Sequence, residues 1–322
     1  MNKPQVVVLL ALAGLTGWAV VAAAREGGGE PAPESAGPAA AAEPKATAAA
    51  KRRRFPNRAT TGVPRRWKPA RVRRRDLTVS RPGAVIKDVV FKDADLLVDA
   101  PNVTVKRVKM QGGGINNVPS GACRNGLVVK RTTFEPPPGR FNPVDEQPAI
   151  VWGGYTARGI EIQRRGEGLF VSGKQDGCGP VRIKRSFLKL VLPDAHCGPG
   201  TDDWHTDGIQ GYGGDRVVVR NTTIDFREAS CGTAAFFYPH SQGNTSARID
   251  RLLVLGGGYP FRLGMPARVT GLKIANRSWA FGPIDVKCSV MGRWAASIVE
   301  VTKRYQVARK VRRQPCNTEA GG

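Results

Sequence analysis

Residues 84–110 read "AVIKDVVFKDADLLVDAPNVTVKRVKM" and hold one phrase twice, "AVIKDVVF" and "VTVKRVKM". Each copy alternates apolar and polar positions, sets a lysine or arginine near its middle and closes on a bulky residue. Alternation with period two is the pattern of a half-buried strand, because successive side chains leave a strand on opposite faces. Outward from this stretch the phrase returns as "LVVKRTTF", "YTARGIEI", "VRIKRSFL", "VVVRNTTI", "ARIDRLLV" and "ARVTGLKI". Anchored on Ile86, Val105, Val129, Ala157, Ile183, Val219, Ile249 and Val269, successive copies stand 19, 24, 28, 26, 36, 30 and 20 residues apart. A repeat of this length with uneven insertions marks a solenoid, in which each unit buries its apolar face against its neighbours.

Between these strands a second, shorter one recurs as "ADLLVDA", "PAIVWGG", "EGLFVSG", "DGIQGYG", "AAFFYPH" and "YPFRLGM", with Gly, Pro, Asn and Asp at the junctions. Short strands in coils of this size predict an all-β parallel β-helix over residues 58–322, C-terminal cap included. Eight or nine coils at about 4.8 Å each would make a rod of roughly 40 Å. A β-sandwich with regular turns would instead put hairpin dipeptides at strand tips. The one Asn-Gly of the chain, Asn125-Gly126, stands at the head of a repeat.

The first 24 residues differ in kind. An apolar run over 6–24 follows Lys3 and ends in small residues. It reads as an export signal cut near Ala24, or as an uncleaved anchor, since about 19 apolar residues just span a bilayer. Either way the remainder is expected outside the cytoplasm, secreted or at the cell surface. Residues 25–50 are poor in the aromatic and β-branched side chains that build a core, and 25–57 reads as a disordered linker. A basic run begins at Lys51, with twelve Lys or Arg and no acid over 51–75, and the formal net charge of the chain is +24. Such charge calls for a polyanionic partner or a solvated tether to an anionic surface. An exported chain meets acidic polysaccharide or anionic cell-wall polymer first, so no nucleic-acid partner is expected. Contact with a membrane would come only through an uncleaved 6–24 segment, and the chain is expected to be a monomer.

Six cysteines, with no C-x-x-C pair, predict three disulfides in an exported chain. The coil assignment favours Cys288–Cys316 and Cys197–Cys231, leaving Cys123–Cys178.

The runs "DLTVSRPGAVIKDVVFKDADLLVDAPNVTVKRVKM", "YTARGIEI" and "HTDGIQGYGGDRVVVRNTTI" resemble exported right-handed parallel β-helix proteins of the pectate-lyase-like superfamily, over about residues 61–291. The resemblance implies a right-handed solenoid. It implies no single activity, because the superfamily holds lyases, hydrolases, esterases, epimerases and tailspikes.

One stretch, "GTDDWHTDGIQGYGG" over 200–214, concentrates polar and aromatic residues. It is a site or a polar turn whose Asp residues bond their own backbone. If Leu97, Ile150, Leu169, Ile209, Phe236 and Phe261 form the inward column, Gln210 and Arg262 face outward two coils apart. His205 and Asp207 then lie at the strand entry, Glu167 one coil before, Tyr238 and His240 one coil after, and Trp152 and Trp204 near the rim. Aromatic rings beside amides, carboxylates and arginine suit a sugar chain. "HTDGI" is similar to the "NTDGI" of polygalacturonase-type hydrolases, and that likeness carries their groove aspartate onto Asp207. The next coil reads "EASCGTAAFF" and lacks the carboxylate pair that hydrolysis requires. Elimination from a polyuronate fits better: Asp202, Asp203 and Asp207 would supply oxygens to Ca2+, the one cofactor this chemistry suggests, and His205 or Arg262 would be the base. Gln210, Trp204, Glu167, Tyr238 and His240 would hold the substrate. The competing expectation is a non-catalytic surface or adhesion module.

Overall fold

The computed structural model describes residues 54–139, 147–192, 206–229 and 232–316. The 1–24 segment and most of the linker lie outside them. The described residues are all-β, in two largely parallel sheets of 14 and nine strands. The eight repeat anchors form one continuous ladder, Ile86 facing Val105 and so on coil by coil to Val269. The expected parallel β-helix is therefore present, its core a set of inward stacks of Val, Ile, Leu and Phe.

Each coil has three straight segments. The first two share the larger sheet and are joined at a corner by one left-handed residue. Asp88, Arg107, Arg131, Gly159, Arg185, Asn221, Arg251 and Gly271 hold this place in successive coils, with φ between 45 and 67°. That conformation costs a non-glycine residue roughly 1–2 kcal/mol, yet it solves a packing problem. The corner residue inserts one step into the alternation, so Val105 and then Val108, three positions on, both point inward. Without it the second half of "VTVKRVKM" would turn its apolar side to solvent.

The third segments stack into the smaller sheet, with Leu96, Ile115, Ile150, Leu169, Ile209, Phe236 and Phe261 in one buried column. Two corrections to the sequence reading follow. Leu97 is half-buried on the outer side while Leu96 and Val98 point in, because "LLV" offers apolar residues in both phases. The third segment of the Val105 coil, Ile115–Asn116, was also missed, since one apolar residue among glycines and asparagines carries no alternation.

Both edges of the larger sheet are guarded by charge. Arg71–Arg73 pairs with Val85–Lys92 at one end, and Val307–Gln314, "VARKVRRQ", closes the other antiparallel to Met291–Val301. Exposed cations on edge strands discourage pairing with another chain, so part of the excess basic charge has a structural purpose.

The linker, expected to extend to residue 57, is already packed chain at Arg54. Phe55 is buried against Leu253, Leu255, Ala275 and Val299, and the Pro56 carbonyl accepts the Thr223 hydroxyl at 2.7 Å. The chain then crosses the second segments as a strap toward the first coils. The Gly62 N–H donates to the Gly159 carbonyl at 2.8 Å and the Trp67 indole N–H to Asp88 Oδ1 at 2.9 Å. A Cβ on Gly62 (φ +67°) would lie 2.2 Å from a Glu161 carboxylate oxygen, so the close approach requires glycine. From Phe55 onward, then, much of the basic run is part of the body and not a free tether.

Two of the three expected disulfides are present, Cys123–Cys178 and Cys288–Cys316. Such bonds belong to an oxidising, extracytoplasmic environment. Cys197 and Cys231 lie outside the described residues. Among the described residues no helix is long and apolar enough to cross a membrane.

Candidate functional site: an arginine–aromatic face

The strands Leu169–Ser172, Asp207–Tyr212, Ala234–Tyr238, Phe261–Leu263 and Asp285–Val286 lie side by side in the smaller sheet. Their buried residues fix the alternation, so the residues between them face out. In register these are Phe170, Gln210, Phe237, Arg262 and Asp285. Gln210 and Arg262 thus share one outer face two coils apart, with Phe237 between them.

Arg262 organises this face. Its Nε donates to Asp285 Oδ2 at 2.6 Å, and its guanidinium lies 5.1 Å from the Phe237 ring centre and 5.8 Å from that of Tyr259. A cation against two ring faces gains from their quadrupoles and is held flat. Tyr259 packs at 5.8 Å on Phe281, which is 78 % exposed. Asp285 is buried, and its Oδ1 finds no hydrogen-bond partner among the described residues. The face therefore presents exposed aromatic surface, a fixed cation and a half-buried amide, with a buried carboxylate behind the cation.

The other predicted residues are arranged differently. Asp207 is 1 % exposed. Its Oδ1 accepts the Ala234 N–H of the next coil at 3.0 Å, and its own N–H donates to Glu167 Oε1 at 3.3 Å. Burial pushes its carboxyl well above the usual carboxylate range, against partial offsets from the Ala234 N–H and Arg262. Asp207 is a tie between coils. Glu167, expected on the outer face, is buried at the preceding turn, within reach of the Asp207 N–H. Tyr238, expected as a sugar platform, is fully buried: two residues beyond Phe236, it falls in the inward phase, and its hydroxyl donates to the Asp215 carbonyl. His240 is exposed in the turn that follows. Trp152 is half-buried at a left-handed position, φ 75°.

His205, Trp204, Asp202 and Asp203 lie outside the described residues, so the metal set and the histidine base fall there too. Among the described residues no three His, Cys, Asp or Glu side chains converge as metal ligands. Asp285, Tyr259 and Phe281 were not singled out from the sequence. Asp285 follows Arg262 in the same outward column, and extending the alignment one coil to "PIDV" would have found it. Comparison of the chain with protein-family models, with curated proteins and with solved structures finds no match.

Proposed function

We propose that this chain is an exported, right-handed, pectate-lyase-like β-helix that binds an acidic polysaccharide on the outer face formed by Gln210, Phe237 and Arg262. The observation that carries this reading is the Arg262 guanidinium fixed by Asp285 against two aromatic rings. Sugar rings stack on exposed aromatic surface, a uronate carboxylate pairs with a fixed guanidinium, and hydroxyls bond the Gln210 amide. Binding without bond cleavage is the better-supported activity. The aspartate carried over from the hydrolases is buried and favours its neutral form, and Arg262 is committed to Asp285, a poor state for a base. An adhesion or surface-attachment role follows naturally for a rod with a basic strap.

The test is affinity electrophoresis and calorimetry on polygalacturonate and on its methyl-esterified, neutral form. The doubly substituted Phe237→Ala, Arg262→Gln chain should lose at least fivefold in affinity for the acidic polymer, with unchanged circular dichroism and no rise in ultraviolet absorbance from an unsaturated product in either protein. Unchanged affinity would overturn the site, and a steady rise in absorbance would establish a lyase.

A further inference from the structure

On the larger sheet, Lys87, Lys106, Lys130, Arg158, Lys184 and Arg220 are register partners on successive parallel strands. The column then ends at Asp250. Lys106 and Arg158 are exposed, and Lys130 and Lys184 half-buried. Among the described residues no carboxylate pairs with any of these four. Like charges directly opposite one another weaken a sheet, and here they recur through several coils. Edge protection does not explain them, because they stand on interior strands.

The neighbouring corner column adds Arg107, Arg131 and Arg185. Asp88 neutralises Arg107 through two hydrogen bonds of 2.7 and 2.6 Å; neither Arg131 nor Arg185 has such a partner among the described residues. Between these columns and Thr60 of the strap lies a cavity of about 250 Å³ lined by Lys106, Lys130, Arg131, Arg158 and Arg185, with no acid in its wall. The row of unpaired cations thus lines, together with Arg131 and Arg185, a hollow with no acid in its wall, the arrangement an anion would neutralise.

We infer that this column is a docking track for a linear polysaccharide bearing one carboxylate or sulfate per sugar ring, laid along the direction in which the coils stack. The track is separate from the arginine–aromatic face and shares with it only the acidic class of ligand. Parallel strands repeat about every 4.8 Å. A sugar ring with its linking oxygen spans three to four bonds of roughly 1.5 Å, about 5 Å along a chain, so one charge per ring meets one cation per coil. Duplex DNA offers a phosphate about every 3.4 Å per strand on a winding path and fits this straight row poorly.

The experiment uses the full chain and fluorescent oligogalacturonates of increasing length, read by anisotropy across a salt series. Affinity should rise with length to about six rings, one per cation of the column, and then level off. The Lys106→Ser, Lys130→Ser, Arg158→Ser triple variant should bind at least tenfold more weakly, and its dependence on salt should flatten by about two to three in log–log slope, roughly 0.7–0.9 per ion pair lost. A control with the same change in charge, Lys310→Ser, Arg312→Ser, Arg313→Ser on the closing edge strand, should lose less than threefold. Should the triple variant not fold, Lys106→Ser and Arg158→Ser alone are measured in the same way. Equal losses in both charge-matched variants would reduce the track to net charge and overturn it. So would tighter binding of single-stranded DNA carrying the same number of charges. Loss in the Phe237→Ala, Arg262→Gln protein with none in the triple variant would sink the track while keeping the face; the converse would sink the face alone.

Discussion

Arg262 and Asp285 face each other on adjacent parallel strands, joined by a 2.6 Å hydrogen bond from Nε to Oδ2, with side chains 25 % and 6 % exposed. Removing the acid leaves a half-buried guanidinium to be re-solvated. Asp285→Ala should therefore lower the unfolding free energy in urea by about 1.5–3 kcal/mol, the range for hydrogen bonds to charged groups. It should also weaken sugar binding, because Arg262 loses the contact that sets its angle. An Asp285→Ala protein with unaltered urea midpoint and unaltered affinity would count against this role.

Asp207 gives a pH signature. Its carboxyl is pushed well above the ordinary 3.8, chiefly by burial, so the folded state holds its proton more tightly than the unfolded chain. Stability from the neutral acid is present at low pH and declines as pH rises above 3.8. Asp207→Asn keeps an oxygen for the Ala234 N–H and removes the charge. Its melting temperature should match or exceed that of the natural protein at pH 8, with the advantage shrinking toward pH 4. A variant markedly less stable at pH 8 would mean that the carboxylate is needed charged.

Asp88 titrates in the opposite sense. Hydrogen bonds from Arg107 and then Trp67 hold it at about 2. Its contribution is complete above the ordinary 3.8 and is lost as pH falls through about 2. The strap around Trp67 should loosen over that window, visible as an acid-induced change in tryptophan emission that is missing from Trp67→Phe. Asp88→Asn, whose side chain tolerates the left-handed corner, should show the loosened state already at neutral pH.

The solenoid was legible in the sequence because its signal is repeated. The eight repeat anchors fall on one ladder, since a slip of one residue would turn an apolar row to solvent. The third segments were read less well where the signal thins. "LLV" fits either phase, and "GGIN" has one apolar residue. The 54–57 stretch reads as linker from sequence because arginines and prolines hide Phe55 and Trp67, and the anchoring partners of Phe55 are about 200 to 250 residues away in the chain. At the site, parity alone puts Gln210 and Arg262 on the outer face, whereas Tyr238 and Glu167 are buried, because a polar side chain need not be an outward one. Burial with a satisfied partner is invisible until the neighbouring coils are known.

Parity itself can be tested on two adjacent valines. Val129 is fully buried and Val128 lies on the outer side between Thr104 and Thr156. Val129→Asp places a carboxylate in an apolar stack and should cost more than about 4 kcal/mol or prevent folding. Val128→Asp should stay within about 1 kcal/mol in the same urea titration. Similar losses at both positions would contradict the register.

The strap offers the last test. Phe55 is 4 % exposed, and the Arg251 guanidinium lies 4.8 Å from its ring centre. Leu253, Leu255, Ala275 and Val299 form the apolar floor beneath it. Phe55→Ala removes that anchor from a segment whose remaining ties are single hydrogen bonds and the exposed Arg58–Glu161 ion pair, so the loss should be local. Trypsin should then cut at Arg58, Arg65 and Arg66 at least tenfold faster than in the natural protein, while the melting temperature of the rod shifts by only a few degrees. Thr223→Val, which removes the hydroxyl bonded to the Pro56 carbonyl, should accelerate cleavage less, because one hydrogen bond is worth about 1 kcal/mol and a buried phenylalanine about 3–5 kcal/mol. Equal cleavage rates in all three proteins would show that the strap is held from its Trp67 end and that Phe55 is a bystander.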